Sequence, residues 1–266
     1  MDSKKPHYRV SLSEQALNHE KLMRAIVKNL ADTPMVLKGG TALYLGYGLN
    51  RFSEDLDFDC HKKINLLGRV KSAIPNGIIL NDIHIKDTDN VGRYMVRYAT
   101  KDNKEEQTLK LEISYRDTPK ESEVNVIEGM RIAKIERIID NKLCACFDGE
   151  HTRTKARDLF DLHFLAKHYE EHFNLDLASR LKDFSKDPYK LVSDYLVDVK
   201  LDALLNQIMD LEETALELGV MAQLIHKKLE KQSHSLNALQ EQQGYSNNDN
   251  SLDNSNENIY TPKRRR

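Results

Sequence analysis

The chain has 266 residues, 39% of them apolar and 31% charged, with 40 Lys and Arg against 42 Asp and Glu. That length supports one large domain or two small ones, with ample material for a hydrophobic core. A formal charge of -2 rules out a globally basic nucleic-acid binder, so any basic surface must be local.

The N-terminal stretch "MDSKKPHYRV" has no apolar h-region, and no apolar run along the chain approaches membrane-span length. The expectation is a cytoplasmic protein with no membrane contact. From Ser11 to Ala31, Leu12, Ala16, Leu17, Leu22, Ile26, Val27 and Leu30 recur at roughly helical spacing. Asp32 to Pro34 ends that helix. "PMVLK" predicts a short strand, and Gly39-Gly40 then turns the chain into a helix over Thr41 to Gly48. "DLDFD" alternates polar and apolar residues, as a half-buried strand does.

A helix is expected over Leu66 to Ala73. Strand-like runs follow: "GIILNDIHI", "GRYMVRYAT" and "QTLKLEISYR", separated by the turn-rich "KDTDN" and "KDNKEE". Val124 to Ile132 reads as strand or turn. From Ile135 to Gln232 the pattern is helical. The fold class is therefore α+β: a mixed β-sheet with flanking helices over 1–133, then a mostly helical region over 134–232. Residues 233–266 are rich in Asn, Ser and Gln and poor in apolar residues, which predicts a disordered tail. Its basic end, Lys263 to Arg266, reads first as solvated and second as a contact for RNA or a partner. Cys60, Cys144 and Cys146 are odd in number and lack zinc-ligand spacing, so they read as reduced, small packing residues.

The chemistry concentrates in "KGGTALYLGYGLNRFSEDLDFD", Lys38 to Asp59. Side chains two apart on a strand share a face. Asp55 and Asp57 thus point one way, while Leu56 and Phe58 point into the core. Two neighbouring carboxylates repel in a low dielectric, and Mg²⁺ (or Mn²⁺) is the usual remedy. It takes hard oxygen ligands, often one or two carboxylates plus substrate phosphates. Asp59 lies farther along this face and reads as the solvated strand end. Gly39 and Gly40 let the backbone approach a ligand, and the following helix N-terminus, with Thr41, is a natural phosphate seat. Ser53 can add a hydroxyl contact. Lys38 is either a phosphate contact or a strand-end lysine. The plain alternative is a tight connection beside two solvated aspartates. "LKGGTAL" does not supply the G-x-x-x-x-G-K-[ST] of a P-loop.

Gly39-Gly40-Thr41, thirteen residues, then Asp55-Leu56-Asp57-Phe58 resembles the signature of the nucleotidyltransferase (DNA polymerase β-like) superfamily. "LKGGTALYLGYGLNRFSEDLDFD" closely resembles the AbiEii/AbiGii toxin family of AbiE-type toxin–antitoxin systems. "LKLEISYR" resembles that family's strand with a third acidic residue, here Glu112 in place of the commoner Asp. "IIDNKLCA" resembles its helix with a fixed lysine, Lys142, and small Ala145. "KARDLFDLHFL" resembles its last motif, with Arg157, Asp158 and Asp161. Together these stretches cover about Val36 to Leu165.

The resemblance implies a nucleotidyltransferase-type sheet completed by the helical region. It implies an enzyme that moves an NMP from an NTP to a hydroxyl acceptor, with Mg²⁺ or Mn²⁺ on Asp55, Asp57 and Glu112. Glu112 is then the general base, if its strand pairs with the acidic one; on the residues alone it reads as a charged edge-strand side chain. Lys142 is implied to contact the triphosphate, and Asp158 to line the site. Arg157 and Asp161, four apart on a helix, are expected to pair, although Arg153 is the other arginine positioned to serve Asp158. An RNA such as tRNA is the implied acceptor, and a cognate antitoxin the implied partner. The rival readings are a catalytically inactive protein of this fold that binds nucleic acid or a protein partner, and a phosphohydrolase.

Overall fold

The structure is a computed structural model; it describes residues 12–117 and 119–248, with side chains as far as residue 235. Helix α1 spans Glu14–Asn29, capped by the Ser13 hydroxyl on the Ala16 amide at 3.2 Å. It buries Leu22, Ile26 and Val27 of the predicted stripe together with Met23, while Leu17 is exposed. Strand β1 (Val36–Lys38) runs directly into helix α2 (Gly39–Gly46), whose apolar "TALYL" run is buried throughout. Strand β2 (Leu56–Asp59) follows, then helix α3 (Leu67–Ser72). Strands β3 (Ile78–Asp87), β4 (Val91–Thr100) and β5 (Gln107–Ser114) form a meander. The ambiguous stretch over 124–132 resolves as a hairpin, β6 (Val124–Ile127) and β7 (Met130–Ala133). Glu128 and Gly129 take positive φ at its turn.

These strands form one seven-stranded mixed sheet in the order β3-β4-β5-β2-β1-β7-β6. The short strands β2 and β1 lie at its centre. β2 pairs antiparallel with β1 and parallel with β5. Its alternation is visible in burial: Leu56 and Phe58 are sealed in the core, and β5 repeats the pattern with Leu109, Leu111 and Ile113.

The rest is helical: α4 (Ile135–Leu143), a wide turn over Cys144–Asp148, α5 (Ala156–His168), α6 (Leu175–Phe184), α7 (Pro188–Leu201), α8 (Leu205–Ile208) and α9 (Leu211–Asn248). Leu159, Leu162 and Leu165 form the buried stripe of α5. Ala215, Leu218, Ala222 and Ile225 of α9 are buried, and α9 packs on α5, α6 and α7. Buried apolar residues from Leu22 to Ile225 form a single cluster.

Two expectations need correction. α9 runs on through Asn248, so 233–248 is helical rather than disordered; its Leu, Ala, Gln and Glu are strong helix formers that continue an established helix. The remainder of the expected tail, 249–266 with its basic end, lies outside the described residues. The three cysteines are free; Cys60 is buried in the core and Cys146 packs against it, but Cys144 does not. Cys144 is exposed at the start of the wide turn, with the Arg180 Nη2 3.2 Å from its Sγ. Among the described residues, no helix is long and apolar enough to cross a membrane.

Candidate active site

The acidic pair sits where β1, β2 and β5 meet. Lys38, the last residue of β1, is the register partner of Asp57 on β2. On the other side Asp57 is the register partner of Glu112 on β5. The β2 and β5 strands do pair, so three carboxylates come to one edge of the central sheet. Asp57 is mostly buried and makes no hydrogen bond or ion pair among the described residues. Burial first, then the nearby Asp55 and Glu112 charges, push its carboxyl above the usual carboxylate range, against the pull of Lys110 and Lys38. The other two acids have partners. Asp55 Oδ2 lies 2.8 Å from Lys110 Nζ. Glu112 Oε2 accepts from Arg93 Nη2 at 2.6 Å and Nε at 3.1 Å. The described residues hold no cage of three or more His, Cys, Asp or Glu ligands. What they hold is a half-open pair with an unpartnered Asp57, a donor set suited to a hard divalent cation that shares its shell with phosphates.

The glycine turn lies over this pair. Gly39 has φ +71°, a conformation that excludes most side chains, and a Cβ there would stand 3.5 Å from Asp57 Oδ2. At Gly40 a Cβ would come within 2.4 Å of Arg51 Nη2 and 3.4 Å of Asp161 Oδ2. The backbone therefore approaches the acids and a buried charge network because no side chain intervenes.

The loop that delivers the acids is pinned at several points. The Thr41 hydroxyl donates to the Asp55 carbonyl and is 2.7 Å from Ser53 Oγ. Both residues are buried, so they fix the acid-bearing backbone. His19 Nε2 donates to the Glu54 carbonyl at 2.8 Å. Arg51 donates from Nε and Nη2 to the two Asp161 oxygens, each at 2.7 Å, with both side chains buried.

Behind the glycine turn, Lys142 Nζ lies 2.6 Å from both Asp158 Oδ1 and Asp161 Oδ2, with its side chain 9% exposed. Burial alone would lower its pKa, but Asp161 and Asp158 outweigh that and keep it charged. Asp158 also accepts from Arg153 Nε at 2.9 Å. Burial would raise the Asp158 pKa; Lys142 and Arg153 instead hold it below the usual range. Arg153 is anchored by its amide on the Ala145 carbonyl at 2.8 Å, its side chain 60% exposed. The hydrogen bond to Asp158, with the charges of Asp158 and Asp57, raises its pKa further.

Two expectations about side chains are overturned. Arg157 does not pair with Asp161; its Nε lies 2.6 Å from Asp202 Oδ2. Asp161 points inward, fully buried, while Arg157 points outward toward the turn after α7. Asp59 is not a solvated strand end. It is buried, with Oδ1 2.5 Å from Lys38 Nζ and Oδ2 2.9 Å from Arg137 Nη2. Lys38 is thereby an ion-pair partner of Asp59. The sequence reading also missed Arg51, His19, Arg93 and Arg137. A rule that every core-bound acid requires a counter-charge asks for such partners without naming them.

A family model described as the nucleotidyl transferase AbiEii toxin of type IV TA systems matches residues 21–234. The crystal structure of JHP933 from Helicobacter pylori is similar at 98% identity and a TM-score of 0.85, covering 86% of this chain and 100% of that one. Another H. pylori crystal structure, of a candidate nucleotidyltransferase, matches at 98% identity and a TM-score of 0.81, over 83% of this chain and 98% of that one. No curated protein matches.

Proposed function

The chain belongs to the AbiEii nucleotidyl transferase toxin family, and from that membership we propose that it transfers an NMP from an NTP to a hydroxyl acceptor with a divalent metal at Asp55 and Asp57. Membership of a toxin–antitoxin family implies a nucleotide substrate and a cognate antitoxin. An RNA such as tRNA is our proposed acceptor. The observation that carries this reading is the unpartnered Asp57 under Gly39, flanked by Asp55 and facing Glu112 across the ladder.

In this reading Mg²⁺ or Mn²⁺ supplies charge neutralisation at the phosphoryl group being transferred. Everything else falls to the chain. The Gly39-Gly40-Thr41 turn at the α2 N-terminus seats the phosphates against backbone amides. Thr41 and Ser53 hold the Asp55 backbone, so the acids arrive preorganised. Glu112 takes the proton of the attacking hydroxyl once it parts from Arg93. Arg153, 60% exposed beside Asp158, suits the leaving pyrophosphate. Lys142, Asp158 and Asp161 form the floor behind the turn and fix its position.

The test is incubation of the protein with each α-labelled NTP, Mg²⁺ and total cellular RNA. Label carried into a discrete RNA by wild type but not by Asp57→Ala supports the proposal. Release of free phosphate with no labelled RNA or protein would identify a phosphohydrolase and defeat it.

A further inference from the structure

We propose that Lys110 is a built-in counterion: its ammonium holds the cation position of the acidic pair in the free protein, and a divalent metal is held tightly there only when Lys110 moves to the nucleotide's phosphates. This rests on the metal-and-nucleotide reading of the site.

The geometry singles out this lysine. Leu56 pairs with Leu111 in the parallel ladder, so Asp55 and Lys110 come side by side just before it. Lys110 shares the β5 face of Glu112, and its Nζ sits 2.8 Å from Asp55 Oδ2. The neighbouring cations are committed elsewhere. Lys142 serves Asp158 and Asp161, Arg51 serves Asp161, Lys38 serves Asp59 and Arg93 serves Glu112. Lys110 is the cation that pairs with a member of the proposed metal couple.

A divalent ion and an ammonium compete for the same carboxylate oxygens and repel each other at that range. The metal alone must therefore displace Lys110 into water. A triphosphate changes the balance, because it offers the displaced ammonium a new anion within the same site. The side chain is 31% exposed and carries a flexible four-carbon stem, so the exchange needs no backbone movement. Metal and nucleotide then bind with a positive coupling to which Lys110 adds beyond direct phosphate ligation, and the coupling is reciprocal. The free protein is left with little affinity for metal by itself.

The experiment titrates the full chain with Mn²⁺, followed by electron paramagnetic resonance, with and without an α,β-methylene nucleoside triphosphate. Wild type is expected to bind Mn²⁺ weakly alone and more tightly with the nucleotide. Lys110→Gln should bind Mn²⁺ alone about tenfold more tightly than wild type, with the nucleotide's enhancement smaller by about the same factor. Lys110→Arg should behave as wild type. Thermal melts of each variant establish that the fold is intact. Unchanged or weaker Mn²⁺ binding by Lys110→Gln, with wild-type binding still abolished by Asp57→Asn, overturns the role of Lys110 while leaving the metal site standing. Mn²⁺ binding that survives Asp57→Asn, or is missing from wild type even with nucleotide, overturns both.

Discussion

Glu112 faces Asp57 across the parallel β2–β5 ladder, yet its carboxylate is turned to Arg93, 2.6 Å away on the neighbouring strand. The third acid is in place by backbone and diverted by side chain. Arg93 is 43% exposed, so Arg93→Ala should cost less than about 1 kcal/mol of stability. Nucleotide transfer should persist in that variant. Glu112→Gln should lower kcat by roughly 10²- to 10⁴-fold, the usual yield of a positioned general base. Equal losses in the two variants would show that the pair, not the free carboxylate, is what the site needs.

Asp161 is the most heavily committed acid, held by Arg51 on one side and Lys142 on the other with no solvent exposure. Asp161→Ala strands the buried Arg51 and leaves Lys142 with Asp158 alone, and should cost about 3–5 kcal/mol, read as a lower urea midpoint. Arg157→Ala, which breaks a part-exposed pair with Asp202, should cost about 1 kcal/mol or less. A similar loss in both would contradict the assignment of Asp161 to the interior network.

The two glycines should respond differently. Gly39→Ala meets only an ordinary contact with Asp57, and its cost is the positive φ, about 1–2 kcal/mol. Gly40→Ala drives a Cβ to 2.4 Å from the Arg51 guanidinium, which is tied at both ends to Asp161 and has little room to retreat. Gly40→Ala should therefore be the more destabilising and should weaken nucleotide binding more, measured by calorimetry and thermal melts. The reverse order would show that Arg51 yields.

The acids give opposite pH signatures. Asp158 has its folded pKa held below 3.8, so its stabilising effect is complete above 3.8 and is lost as pH falls through the folded value. Asp57 has its folded pKa raised above 3.8, so its ionised form burdens the metal-free fold at neutral pH. In chelator, Asp57→Asn should melt higher than wild type at pH 7. That advantage should fade as pH falls through the raised value toward 3.8. Asp158→Asn should instead melt lower than wild type at pH 7, with the deficit closing only in stronger acid.

Much of this site was legible because it obeys local rules. The alternation in "DLDFD" placed Leu56 and Phe58 inward, and the glycines marked the backbone's approach. The adjacency of Asp57 and Glu112 depended on strand pairing, which the residues alone left open and the parallel ladder supplies. What stayed hidden was long-range charge pairing. Asp59 looks solvated from its neighbours in sequence, and only Arg137 arriving from α4 makes it a buried ion-pair partner. Arg51 and Asp161 are far apart along the chain and carry no shared period, so no window of sequence joins them. The helical spacing of Arg157 and Asp161 was real, but spacing permits a pair without deciding it. Composition likewise marked 233–248 as weakly apolar without weighing the helix that already leads into it.

The single buried cluster from Leu22 to Ile225, stapled by Arg51 to Asp161 and by Lys142 to both acids of α5, has a practical consequence. A fragment ending near Ala133 would keep the glycine turn and every proposed metal ligand, yet leave Arg51 without its carboxylate and the apolar sheet face uncovered. Such a fragment should be recovered as aggregate rather than as a weak enzyme. A gene interrupted after the last strand would then encode an inactive product, and loss of the proposed activity would require no change at the proposed metal ligands at all.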